Sequence, residues 1–197
     1  MLSEIFKLFW KTVERKDARR INSQTPPTEI EQFCDIQYID DGLWQHRLDV
    51  YSKSGKLSHR PVIIDIHGGG WMYGTKEINK NYCLVLAQND YVVVNINYRL
   101  APDFSVADQL RDCFFAFKWV STNIEKYGGD LNNVFVTGDS AGGFLAAYSA
   151  LLNSSDKLRK VFGVTESGLE FRACGLTSPV CFIYEYAHFS GCVLQPC

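Results

Sequence analysis

Val134-Phe135-Val136-Thr137-Gly138-Asp139-Ser140-Ala141-Gly142-Gly143-Phe144-Leu145-Ala146-Ala147 reads as a strand that turns at once into a helix. An apolar run without alternation suits a strand buried on both faces, and the small residues after it suit a helix packed closely on a sheet. Between the two, Gly138 and Gly142 flank Ser140. A chain reversing this sharply leaves no room for side chains beside the serine, whose hydroxyl is forced out at the strand's C-terminal edge. The adjoining helix N-terminus favours developing negative charge. Gly-x-Ser-x-Gly in this setting points to a nucleophilic hydroxyl. The alternative is a plain glycine-rich strand-to-helix turn.

Working outward, a second motif precedes it. The run 61–66 reads as a buried strand leading into His67-Gly68-Gly69-Gly70-Trp71. Gly69 and Gly70 can lend backbone N–H groups to a carbonyl oxygen because no side chain blocks the approach, and the Ala141 N–H is the other expected donor. Losing one such donor costs about 3 kcal/mol of transition-state stabilisation. A phosphate cradle is disfavoured, since the run lacks both the Gly-Lys-Ser/Thr ending and the dinucleotide-binding spacing. His67 is read as holding the shape of the loop by hydrogen bonds, with Gly68 supporting it, rather than as the catalytic base. Asp139 is expected to point to the opposite side of the turn and to bond neighbouring backbone, not to serve as a triad acid.

The remaining chain divides in three. Residues 1–30 form an amphipathic helix, with Leu2, Ile5, Phe6, Phe9, Trp10 and Val13 at helical spacing, and a proline-containing linker. The helix either packs on the domain or acts as a lid over an apolar site. Residues 31–180 form the core. Segments 33–39 and 43–51 read as a hairpin about a tight Asp40-Asp41-Gly42 turn. Lys56, His59 and Arg60 belong to a solvated loop. Helix 78–88, strand 91–97 and helix 106–127 follow, the last ended by Gly128-Gly129-Asp130. Segment 158–164 and then 171–179 supply one more strand. Residues 181–197 have no clear period and form an atypical tail. Helices alternating with buried strands predict an α/β fold with a doubly wound, mostly parallel sheet, incomplete on its C-terminal side, with the N-terminal helix as a cap element.

Composition narrows the function. A chain of 197 residues that is 46% hydrophobic and 21% charged is ordinary for one globular domain. A net charge of -2 with no long basic run argues against nucleic acid as a partner. Seven cysteines form an odd count without paired Cys-x-x-Cys spacing, so no zinc site and no disulfide framework is expected. Cys34, Cys83 and Cys113 sit in apolar runs and read as small hydrophobes. With no signal peptide and no stretch of membrane-spanning length, the expected location is a reducing, cytoplasmic one. No metal or cofactor is called for, and a homodimer is admitted as an assembly.

The two glycine motifs, with Asn97-Tyr98-Arg99-Leu100-Ala101-Pro102 and Gly128-Gly129-Asp130, resemble the hormone-sensitive-lipase-like branch of the α/β-hydrolase fold, mostly carboxylesterases. The resemblance covers about residues 33–179. It implies Ser140 as nucleophile, Gly69, Gly70 and Ala141 as the oxyanion hole, and the first helix as part of a cap over the acyl pocket. Family members run on through strands that carry an aspartate and then a histidine. Here only His188 follows Ser140, and Asp156, Glu166, Glu170 and Glu185 are the acids between them, none in a recognisable strand-end motif. His188 therefore stands as a weak candidate base, and the expectation is an esterase chain shortened at its C-terminus whose own activity is in doubt. A small-molecule ester is the expected substrate. An amidase or formamidase, a non-catalytic small-molecule receptor and an inactive fragment are the alternatives.

Overall fold

A computed structural model describes residues 2–55 and 59–181, with side chains from residue 9 onward. Five helices and six strands alternate: α1 (Leu2–Asn22), β1 (Ile30–Gln37), β2 (Arg47–Lys53), β3 (Arg60–Ile66), α2 (Lys80–Gln88), β4 (Val92–Ile96), α3 (Val106–Asn123), β5 (Gly129–Asp139), α4 (Ser140–Asn153), α5 (Asp156–Phe162) and β6 (Phe171–Thr177). The strands form one sheet in the order β1-β2-β4-β3-β5-β6. β4, β3, β5 and β6 are parallel, β2 is antiparallel to β4, and β1 is antiparallel to β2. The sheet is thus mostly parallel, with an antiparallel flank.

Every residue of β4 is buried. Alternation sends Val92, Val94 and Ile96 to one face and Val93 to the other. The first three join Val62, Ile64 and Ile66 of β3 under Phe114 and Phe117 of α3 and Leu145 of α4. Val93 packs with Tyr51 of β2 and with Cys83, Leu84 and Ala87 of α2. Covering both faces is why these strands read as unbroken apolar runs. Each buried Val or Ile contributes about 1.5–3 kcal/mol by leaving water. α3 is opened by a capping box: the Ser105 hydroxyl accepts from the Asp108 N–H at 3.2 Å, and the Asp108 carboxylate accepts from the Ser105 N–H at 2.9 Å.

Four local expectations are corrected. Asp40-Asp41-Gly42 does not close a tight hairpin, since β1 ends at Gln37 and β2 begins at Arg47. The long connection is instead drawn onto the core, where the Tyr38 hydroxyl donates to the Asn97 carbonyl at 2.8 Å. Segment 158–164 is no strand. Ser155 caps a helix there, and Leu158 and Phe162, four positions apart, pack against the core. Arg60 opens β3 rather than lying in the loop before it, with a guanidinium N–H donating to the Lys53 carbonyl at 2.8 Å. Cys34 is exposed, because β1 is an outer strand whose residues 31–35 are all exposed. Among the described residues β6 forms an outer edge of the sheet and leaves Leu176 43% exposed. No helix among them is long and apolar enough to cross a membrane.

One polar cluster lies within the larger core. Asp112 of α3, wholly buried, accepts from the Arg99 N–H at 2.9 Å and from its guanidinium Nη2 at 2.6 Å. The buried His46 imidazole lies between two carboxylates, Nδ1 at 2.7 Å from Asp41 and Nε2 at 3.2 Å from Asp112. Burial opposes the imidazolium, but Asp112 and then Asp41 outweigh it, and the pKa of His46 is raised. A raised histidine stabilises the fold fully below its unfolded value, about 6.5, and that stabilisation is lost as pH rises through the folded value. His46→Gln is therefore expected to lose more stability, relative to the parent, at about pH 5.5 than at about pH 8.5. Urea unfolding at both values measures this, and equal losses would contradict it.

Candidate active site

β5 ends at Asp139 and α4 begins at Ser140, so the strand turns into the helix without an intervening loop. Ser140 has a φ of 50°, in the left-handed region that side chains avoid. Such a conformation costs about 1–3 kcal/mol and persists only where the surroundings impose it. They do so by contact. A Cβ on Gly142 would stand 2.0 Å from the Ile66 carbonyl oxygen and 2.5 Å from that of His67. One on Gly138 would stand 2.4 Å from the Gly142 carbonyl oxygen. The end of β3 and the first turn of α4 meet backbone to backbone. Ser140 remains half-buried, and Ala141, though buried, lies in the first helical turn, where an N–H has no intrahelical acceptor.

The glycine loop begins where β3 ends. Gly69 takes a φ of 124°, and a Cβ there would stand 1.9 Å from the Tyr73 carbonyl oxygen. The turn closes through the Tyr73 N–H, which donates to the Gly69 carbonyl at 3.0 Å. Among the described residues, no acceptor takes the N–H of Gly69 or Gly70. The Gly68 N–H is committed: it donates to Asp139 Oδ1 at 2.9 Å, and the Asn79 amide donates to the same oxygen at 2.8 Å. Asp139 thus bonds backbone, as expected, but the backbone lies 71 positions away in the glycine loop. Beyond the glycines, the Trp71 carbonyl accepts from the Ala101 N–H at 2.8 Å and from the Gln109 amide at 2.9 Å. On the outer side, the Trp10 indole of α1 stacks on Tyr73 with ring centres 5.2 Å apart. Two of its ring carbons come within 3.0 Å of where a Gly70 Cβ would stand. The first helix therefore packs directly on the glycine loop.

His67 is wholly buried and stacks on Tyr98 with centroids 4.4 Å apart. Its Nδ1 donates to the Gly68 carbonyl at 2.7 Å, and the Tyr98 hydroxyl donates to the His67 carbonyl at 2.8 Å. Burial pushes its pKa down to about 4, against the pull of the Gly68 carbonyl, so the ring is neutral at ordinary pH. Asp65, wholly buried near the end of β3, is pushed up to about 7 by burial and by the Asp139 charge, against the Asn79 amide and the Cys83 thiol.

Ser140, Ala141, Gly68, Gly69, Gly70, His67 and Asp139 therefore converge at the C-terminal ends of β3 and β5. His188 and the tail 182–197 lie outside the described residues. Among those described, His46 is engaged by Asp41 and Asp112, His67 by Gly68, and no histidine hydrogen-bonds to Ser140. No group of three or more potential metal ligands occurs among them. A cavity of about 400 Å³ between the end of α4 and β6, lined partly by Asn153, Phe171 and Cys174, contains none of these residues. Asn79, Asp65 and Gln109 escape sequence reasoning because each acts across the fold. The only local signal is the position of Asp65 in the strand that feeds the glycine loop.

Residues 48–172, more than half of the chain, match the BD-FAE family. Arylacetamide deacetylase from Oryctolagus cuniculus is 46% identical over 130 residues, 63% of this chain and 32% of that protein. Carboxylesterase NlhH from Mycobacterium tuberculosis is 34% identical over 145 residues, 71% of this chain and 45% of that protein. Among solved structures, an inhibited esterase B from Lactobacillus rhamnosis superposes with a TM-score of 0.90 at 33% identity, covering 96% of this chain and 62% of that one. The chain spans less than half the length of these two curated relatives.

The contact at Gly142 yields an expectation. Gly142→Ala must displace the end of β3, at a cost of about 3 kcal/mol or more. Thermal unfolding measures it, and a variant as stable as the parent would show that the two segments do not touch.

Proposed function

The chain belongs to the BD-FAE family of α/β-hydrolases, and we propose that its chemistry is hydrolysis of a small carboxylic ester through an acyl-enzyme on Ser140. The observation that carries this reading is the Asp139 carboxylate bonded to the Gly68 N–H, which ties the serine turn to a loop with uncommitted amides. Ser140 Oγ attacks the ester carbonyl, and the C–O π pair moves onto oxygen. The N–H groups of Gly69, Gly70 and Ala141 donate hydrogen bonds to that oxyanion. Donors already in place need no reorganisation as the charge develops, which is why such stabilisation is large. Collapse of the adduct expels the alcohol, which takes up the proton given up by Ser140, and water then releases the acid and returns a proton to the Ser140 oxygen. The names of esterase B and carboxylesterase NlhH support an ester substrate. Trp10 and Tyr73, stacked beside Gly70, supply an apolar wall, in keeping with α1 as a cap element.

The proton of Ser140 needs an acceptor. His67 is turned to the loop, His46 to its carboxylates, and His59 precedes β3 at the end opposite the glycine loop; of the four histidines the candidate base is His188, which lies outside the described residues. Without a base, the amides and binding alone sustain a rate on the order of 10³–10⁴ over water. Among the described residues no histidine bonds to Ser140, and a receptor that binds a small molecule without turning it over is the second reading. Turnover of p-nitrophenyl acetate above background, lost in Ser140→Ala, is the expected result, together with fluorophosphonate labelling at Ser140. Folded parent and Ser140→Ala giving the same rate, with no label, would leave the receptor reading.

A further inference from the structure

We infer that Asn79 is a positioning residue for the oxyanion loop, a reading that rests on the ester hydrolysis proposed above: its side-chain amide bridges Asp65 and Asp139 and keeps Asp139 aimed at the Gly68 N–H. The geometry is specific. Asn79 Nδ2 donates to Asp65 Oδ2 at 2.9 Å and to Asp139 Oδ1 at 2.8 Å, one hydrogen to each carboxylate. The same Asp139 oxygen accepts from the Gly68 N–H at 2.9 Å. A single amide thus links the end of β3, the serine turn and the first glycine of the loop.

Two carboxylates brought this close repel unless something lies between them. The titratable groups facing Asp65 are the Cys83 thiol and Tyr82 of α2, Asp139, and Tyr98 after β4, and none is a cation. The Asn79 amide is neutral and supplies the donors instead. Its own place is set from the end of β4 and the residue just after it: the Asn95 amide donates to the Lys76 carbonyl at 2.6 Å, and the Lys76 N–H donates to Asn97 Oδ1 at 2.6 Å. The turn that carries Asn79 is therefore pinned to the sheet independently of the glycine loop. Removing the amide frees Asp139 to swing away, and Gly68 loses the acceptor that sets the direction of the next two N–H groups.

The test compares Asn79→Ala and Asn79→Asp with the parent, all shown folded by thermal unfolding. Both variants are expected to lose about ten- to a hundredfold in kcat for p-nitrophenyl acetate at neutral pH, with KM little changed. Asn79→Asp has the same shape but places a third carboxylate between the other two. Its rate relative to the parent is expected to climb as pH falls, because the protonated carboxyl can again donate. A role in packing alone would leave exchange of the Gly68 N–H at the parental rate. Hydrogen exchange at the Gly68 N–H, expected to be about tenfold faster in Asn79→Ala, reads the same linkage without turnover. If the parent shows no Ser140-dependent rate, the ester reading fails, and the exchange measurement still decides this one. Folded variants with parental kcat, a pH-independent rate ratio or unchanged Gly68 exchange would overturn the assignment. Should Asn79→Ala fail to fold, the isosteric Asn79→Asp carries the test.

Discussion

The first turn of α4 lies against the last carbonyls of β3 with nothing between them but hydrogen, and the arrangement of the site follows from that approach. Gly142 has no space for a Cβ beside Ile66 and His67. At that separation the strand cannot continue past Asp139, and the chain must swing into a helix with Ser140 at the bend. The left-handed conformation of Ser140 is a consequence of the contact, held against its cost by buried strands on either side. A serine placed this way offers its hydroxyl from a half-buried position while its backbone is locked.

The same approach brings the glycine loop within reach of Asp139. Gly68 is the point of contact, and a Cβ there would stand 2.4 Å from the Asp139 carboxylate. What lies downstream of the glycines is then fastened from several directions. Trp71 is held by the segment after β4 and by α3, Tyr73 by α1, and Lys76 by Asn95 of β4 and Asn97 just after it. Lys76 itself is buried, with its ammonium 3.1 Å from Asp49 and 3.0 Å from Asp35. A charge taken out of water without partners would be costly, and Asp49, Asp35 and Glu77 supply them. The amides of an oxyanion hole stabilise charge only if they are already in place, and this loop has little freedom to be elsewhere.

Two kinds of buried polar group coexist around the site. The Arg99–Asp112–His46 cluster and the Lys76 cluster pair opposite charges, and they fasten loops to the sheet. The Asp65–Asn79–Asp139 set places two carboxylates together with a neutral amide between them. The first kind resists separation of the elements it joins. The second is sensitive to protonation, because burial and the neighbouring carboxylate push the pKa of Asp65 up to about 7.

Local chemistry alone determined much about this protein. Unbroken apolar runs of strand length marked β3, which leads into a glycine motif, and β4, and small residues after Ser140 marked α4, because burial on both faces imposes a composition that needs no partner to be recognised. Gly138, Ser140 and Gly142 could be read as a strained turn for the same reason: only glycine tolerates such crowding. The path from Tyr38 to His46, the helix at 156–162 and the partners of Asp139 were decided by the tertiary structure. Each depends on contacts between residues far apart in the chain, which carry no periodicity or spacing to be read. Asn79 is the sharpest case, an ordinary polar residue whose meaning arises only when β3 and the serine turn close around it.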